Sequence, residues 1–262
     1  MVTFDRAGLL SNTVVFDSAA AQSFMTVPAG KKERELSYLG SKAASGVWQK
    51  IIAEMPPHET YIETHLGGGA IMLRKPAALR SIGIDIDSDA LQQFDRSLIM
   101  SRHELELYCT DAVRFLSTFD YGSAGHTLVY CDPPYLMETR TSRARYRHEY
   151  TVEEHIQLLE CLKSLPENVS VILSGYRSEL YNHMLPGWRT REFQAMTRGG
   201  ARTEKIWMNY AEGRAYTHMC AGKDYNDRTR IKRKAERWRK KYAALPLAER
   251  LAIMTALCEV EQ

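Results

Sequence analysis

Tyr61-Ile62-Glu63-Thr64-His65-Leu66-Gly67-Gly68-Gly69-Ala70 is the stretch on which the fold turns. A short β-prone run ends in an acid, passes through consecutive glycines and enters Ala70–Leu79, whose apolar spacing predicts a helix. Glycine permits positive φ and lets a ligand approach the backbone closely. A following helix N-terminus offers N–H groups with no partner inside the helix. Open parallel sheets hold nucleotide-like ligands here, outside the carboxyl ends of their strands. Taken alone, the turn is equally compatible with a plain strand-to-helix connection.

Outward from this stretch, short apolar runs alternate with helical patterns. Strands are predicted over Thr60–Thr64, Ser81–Asp85, Glu106–Cys109, Thr127–Cys131 and Ser170–Ser174. Helices are predicted over Val47–Met55, Ala70–Leu79, Ser88–Ser101, Ala112–Ser117, Val152–Ser164 and Arg177–Leu185. This alternation implies right-handed crossovers and a mostly parallel sheet covered on both faces, an α/β Rossmann-like fold. Trp188–Met196 and Arg202–Tyr210 are extended runs joined by Thr197–Ala201, with Gly199 and Gly200 at the turn. They predict an antiparallel hairpin at the sheet edge. The basic run Asp227–Ala244 and Leu247–Val260 read as two further helices. Three parts are expected: a loosely ordered extension over 1–36, a catalytic domain over 37–222 and a basic helical appendage over 223–262.

The second and third strands end in acids. Asp85, in Ile84-Asp85-Ile86-Asp87, stands about 20 residues beyond the glycines, where a carboxylate can accept ribose hydroxyls. Asp87 is instead suited to cap the next helix. Asp111, in Cys109-Thr110-Asp111-Ala112, either accepts from an adenine amino group or caps its own helix. A nicotinamide-dependent oxidoreductase would place a third glycine of its fingerprint at position 72, and this chain has Met72.

The fourth strand ends Val129-Tyr130-Cys131-Asp132-Pro133-Pro134-Tyr135. Two prolines fix φ and remove two backbone donors, leaving a carboxylate, carbonyl oxygens and an aromatic ring. The amino nitrogen of a base is a poor nucleophile because its lone pair is delocalised into the ring. If Asp132 and the Pro133 carbonyl each accept one N–H, the nitrogen is drawn toward tetrahedral geometry and its lone pair is freed. Tyr135 can stack on the base, a contact worth roughly 1–3 kcal/mol.

With the glycine loop, this motif makes the chain resemble the Dam-like D12 class of DNA N6-adenine methyltransferases, from about Tyr38 to Tyr210. By that resemblance Asp132, Pro133, Pro134 and Tyr135 are catalytic, and Glu63, Gly67, Gly68, Gly69 and Asp85 hold S-adenosylmethionine. Tyr38-Leu39-Gly40-Ser41-Lys42 is similar to the family segment whose lysine lies near cofactor and active site, which adds Lys42. Ser174-Gly175-Tyr176 resembles the segment that helps wall the base pocket. The family usually has Pro-Phe where this chain has Thr64-His65, so His65 is expected to stack beside the cofactor instead. Family members often insert a target-recognition region between the third and fourth strands, whereas here only Ala112 to His126 intervenes.

The formal charge of +3 conceals an asymmetry. Ten basic and three acidic residues lie between Lys223 and Tyr242, leaving 25 basic and 29 acidic elsewhere. A concentrated basic segment predicts a polyanionic partner, which the family resemblance implies is double-stranded DNA. The target base must be extruded at a cost of a few kcal/mol, and phosphate contacts supply much of the compensating affinity. Candidates are Arg140, Arg143, Arg145 and Arg147 after the catalytic motif, Arg198 and Arg202 with Arg189 and Arg191 on the hairpin, and Arg228–Lys241 with Trp238 on the basic helix. The five cysteines are odd in number and never spaced C-x-x-C, so neither a disulfide framework nor a structural metal is expected. No apolar run is long enough to span a membrane, and the N-terminus lacks a leader-like pattern, so a cytoplasmic location is expected. N4-cytosine and RNA methylation are the nearest alternatives, and a non-catalytic nucleic-acid binding module is the alternative of another class.

Overall fold

A seven-stranded sheet organises the chain, seen in a computed structural model that describes residues 42–43, 46–94, 104–139, 147–197, 200–213 and 215–260. The extension expected over 1–36 lies outside the described residues, as do Arg140, Arg143, Arg145 and Arg198. In chain order the strands are β1 (Thr60–Glu63), β2 (Arg80–Asp85), β3 (Glu104–Cys109), β4 (Thr127–Cys131), β5 (Val169–Gly175), β6 (Arg189–Thr197) and β7 (Gly200–Met208). Their spatial order is β3-β2-β1-β4-β5-β7-β6. The first five are parallel, and β7 pairs antiparallel with both β5 and β6. This is the α/β Rossmann-like architecture expected. The second arm of the hairpin, rather than the first, joins the parallel sheet.

The helices are α1 (Val47–Glu54), α2 (Ser88–Gln93), α3 (Ala112–Thr118), α4 (Val152–Lys163), α5 (Glu179–Met184), α6 (Tyr225–Ala243) and α7 (Leu247–Val260). Side chains alternate across a strand, and here the alternation loads two cores. Ile62, Val129, Val171 and Leu173 point to one face with Leu116 of α3, Leu158 and Leu159 of α4 and Tyr181 of α5. Tyr61, Leu128, Tyr130 and Ile172 point to the other, against Val47, Ile51 and Ile52 of α1. Both faces of the central strands are therefore buried, which suits their continuous apolar sequences. Asp87, Asp111, Thr151 and Ser178 cap α2, α3, α4 and α5 by accepting backbone N–H groups of the first turn. A reciprocal bond from Thr151 N–H to Glu154 completes a capping box on α4.

One expected helix is absent. Ala70–Leu79 forms turns, not a helix. Its backbone makes a single wound turn, with Lys75 N–H donating to the Ile71 carbonyl at 2.9 Å. Pro76 then stops propagation, because its ring excludes the helical conformation from the residue before it. The other expected helices and strands are present with ends shifted by a few residues, except that α2 stops at Gln93 and residues 95–103 lie outside the description. Helix α6 rests on the turn at His218–Cys220, with no side chain fully buried, and α7 presents Leu247, Leu251 and Leu257 to solvent.

Candidate active site

Parallel pairing places the carboxyl ends of β1, β2, β3 and β4 on one edge of the sheet. The acids of the sequence motifs emerge there together. The Thr64 N–H donates to the Tyr130 carbonyl at 3.1 Å and the Leu66 N–H to the Ile84 carbonyl at 2.9 Å, so the loop after β1 is pinned between its two neighbours. Gly67 and Gly69 take φ of 48° and 60°. At Gly69 a Cβ would sit 2.1 Å from the Phe94 ring, so glycine is required by packing as well as by conformation.

Two acids shape this loop. Asp85 accepts the Gly67 N–H at 2.7 Å through one oxygen and the Asp87 N–H at 2.9 Å through the other. A carboxylate has about four acceptor positions, so each oxygen keeps one for a further donor. Burial raises the Asp85 pKa above its ordinary value. Glu63 is directed inward instead. One oxygen accepts both the Tyr61 hydroxyl and the Met72 N–H, each at 2.9 Å, which ties the far end of the loop to β1. Burial pushes its pKa up to about 8, so it is held protonated at neutral pH. Its geometry is that of a brace for the loop. Asp111 accepts the Arg114 N–H at 2.8 Å as the cap of α3.

His65 makes the edge contacts that a phenylalanine could not. Its Nδ1 is 2.8 Å from the Thr64 hydroxyl and its Nε2 is 3.0 Å from the Tyr150 hydroxyl. Burial lowers its pKa to about 3, so the ring stays neutral. A neutral aromatic wall is compatible with a cationic ligand beside it.

Past β4, Asp132 meets Lys42, which is 90 residues away in the chain. The ammonium donates to both carboxylate oxygens, at 2.7 and 2.5 Å. It also lies 4.9 Å from the centre of the Tyr135 ring. Lys42 is 5% exposed and the Asp132 side chain 15%, so this pair is screened only weakly by solvent. The Tyr135 hydroxyl donates to Glu204 of β7 at 2.7 Å, and burial raises the pKa of both groups. Tyr176 stands edge-on to Tyr135, with ring centres 4.5 Å apart, and accepts from Arg202 at 3.2 Å. Tyr135 is therefore enclosed here, and the ring packed against it, Tyr176, is the partly exposed one.

Lys42, Asp132, Tyr135 and Arg202 thus come together, and the Gly67–Gly69 loop, Asp85 and Asp111 line the adjoining edge. Arg147 contacts Asp87 and Asp89. Glu204 and Tyr150 were missed from the sequence. For Glu204 the available signal was weak, one of two acids, with Glu192, in an otherwise basic hairpin; Tyr150 carried none. Among the described residues no group of three or more His, Cys, Asp or Glu could hold a metal ion, and no helix is long and apolar enough to cross a membrane.

Residues 92–203 match the family described as D12 class N6 adenine-specific DNA methyltransferase. No curated protein sequence matches the chain. Similar solved structures include a SAM dependent methyltransferase from Agrobacterium tumefaciens, at 13% identity and a TM-score of 0.41 over 62% of this chain and 58% of that one. TrmN from Thermus thermophilus is similar at 17% identity and a TM-score of 0.42, over 61% of this chain and 46% of that one. The N-methyltransferase NodS from Bradyrhizobium japonicum is similar at 10% identity and a TM-score of 0.43, over 62% of this chain and 92% of that one. The chain spans 58% of the length of the Agrobacterium protein.

Proposed function

We propose, from the match of residues 92–203 to the D12 class of N6 adenine-specific DNA methyltransferases, that this chain moves a methyl group from S-adenosylmethionine to N6 of an adenine extruded from double-stranded DNA. The observation that carries this reading is Asp132, held at the end of β4 by Lys42 beside the glycine loop. The residues fit the cofactor. Gly67 to Gly69 give a close backbone approach, Asp85 keeps acceptor capacity for ribose hydroxyls, and neutral His65 forms a wall that does not repel a sulfonium. When bound, S-adenosylmethionine supplies an electrophilic methyl group.

The chain's own groups do the rest. Lys42 uses two of the acceptor positions of Asp132, leaving two for the target amino group. Together with the Pro133 carbonyl, Asp132 draws both N–H bonds out of the base plane and frees the nitrogen lone pair. Lys42 orients the carboxylate, and the Glu204 bond fixes Tyr135 as a rigid aromatic wall. Tyr176 offers the surface on which an incoming base first stacks. The proton released on methylation goes to Asp132 and then to solvent.

DNA is held by phosphate contacts. These contacts are assigned to Arg202, which bonds Tyr176, to the basic face of α6 and, from the sequence alone, to Arg140, Arg143, Arg145 and Arg198. Among the described residues Lys232, Arg233, Lys234, Arg237 and Lys240 of α6 have no ion-pair partner, and Trp238 is 63% exposed between them. Residues 37–222 form the catalytic unit in this reading, with 223–262 as a DNA-holding appendage and 1–36 as an extension.

The test is mass spectrometry of nucleosides from DNA incubated with enzyme and cofactor. N6-methyladenine is the expected product; N4-methylcytosine, or product only on RNA, would overturn the assignment. Asp132→Ala should bind cofactor yet lose at least about 100-fold in transfer, the scale of one positioned catalytic group.

A further inference from the structure

Just before α4 the chain crosses the carboxyl edge of the sheet. Residues 147–150 lie over the ends of β1, β2 and β3, and two side chains fasten them. The Arg147 guanidinium donates to Asp89 at 2.6 Å and to Asp87 at 3.3 Å, beyond the end of β2. The Tyr150 hydroxyl meets His65 Nε2 at 3.0 Å, beyond the end of β1, with the two rings edge to face at 5.5 Å. Tyr150 also packs edge-on against His155 at 5.4 Å, and His155 bonds the buried Tyr181 hydroxyl at 2.8 Å. The capping box of Thr151 and Glu154 anchors the downstream end rigidly. The acids of the second and third strands face this segment too. Asp85 and Asp111 both act electrostatically on Tyr150, and His148 acts on Asp85.

We propose that Arg147 and Tyr150 are positioning residues that hold residues 147–150 as a strap over the nucleoside half of the cofactor. This rests on the methyl-transfer reading above. It also assigns Arg147 a different task from its neighbours: its charge is committed to Asp87 and Asp89 next to the ribose acid, not to a phosphate. The ties are modest, one largely exposed guanidinium shared by two carboxylates and one neutral hydrogen bond, so the strap can open for exchange.

The test is displacement of labelled S-adenosylmethionine by excess unlabelled cofactor from Arg147→Ala, Tyr150→Phe and the double variant. Each single variant is expected to dissociate cofactor about 3-fold faster and the double about 10-fold faster, the scale of an exposed ion pair and a neutral hydrogen bond. The salt dependence of DNA binding should not move. Arg147→Glu combined with Asp89→Lys should recover most of the loss caused by Arg147→Glu alone. A wild-type dissociation rate in the double variant overturns the strap, as does an Arg147→Ala variant that changes only the salt dependence of DNA binding. If the wild-type chain binds no S-adenosylmethionine at all, the function itself is overturned, and the strap with it.

Discussion

Glu63 offers the sharpest measurable consequence of this structure. It is wholly buried, and its pKa rises from 4.5 in the unfolded chain to about 8 in the fold because burial penalises the charged form. Between these values the unfolded state has lost the proton and the folded state keeps it. Stability contributed by this site therefore falls as pH rises, by about 1.4 kcal/mol per pH unit. Across the window from 4.5 to about 8 the loss reaches on the order of 5 kcal/mol, a large share of the roughly 5–15 kcal/mol that stabilises a domain. Below 4.5 both states are protonated and the penalty vanishes. Glu63→Gln is uncharged at every pH and retains an oxygen to accept from Tyr61 and Met72. The variant should match the wild type near pH 4.5, apart from a constant offset, and become progressively more stable than it toward pH 8. Urea unfolding of both proteins at pH 5, 6, 7 and 8 measures the gap. A gap that does not change with pH would mean Glu63 ionises normally inside the fold, and the picture of a protonated brace under the glycine loop would be wrong.

Other outcomes follow from the same geometry. Gly69→Ala places a Cβ against Phe94 at a backbone angle that disfavours side chains, and should cost about 2–4 kcal/mol of stability; Phe94→Leu in the same chain should recover part of this in thermal unfolding, since the two residues share one contact. Lys42→Ala leaves Asp132 without its cation in a weakly solvated site and should destabilise by about 2–4 kcal/mol in urea, with transfer falling as well. Tyr135→Phe loses the bond to Glu204 but keeps the ring, so it should cost about 1–2 kcal/mol of stability and much less activity than Tyr135→Ala. Replacing Arg233, Lys234 and Arg237 by Gln should flatten the log–log salt dependence of DNA binding by roughly 2–3 units, one per lost phosphate contact.

Much of this protein is written locally. Ile62, Val129 and Val171 lie in short continuous apolar runs bounded by turn formers, the pattern of strands buried on both faces. Asp87, Thr151 and Ser178 stand where helix caps belong, because a cap is satisfied within its own first turn. The glycines and the Asp132–Tyr135 motif are likewise contiguous, and placing both at strand ends needed only the rule that parallel strands share a carboxyl edge. Segment 70–79 shows the limit of such reading. Its apolar spacing suits a helix, but Pro76 and the tether from Met72 to Glu63 hold it as turns. What only the tertiary structure decided is which distant side chains meet. Lys42 reaches Asp132, Glu204 reaches Tyr135, and Arg147 reaches Asp87 and Asp89 across 58 to 90 residues. Those meetings are set by sheet order and register. The hairpin's second arm beside β5 brings Glu204 to the site, and the return of residues 147–150 over β1 and β2 gives Tyr150 its partner. The energy of such contacts lies in screening and burial that no neighbouring residue supplies, so a one-dimensional pattern carries no trace of them.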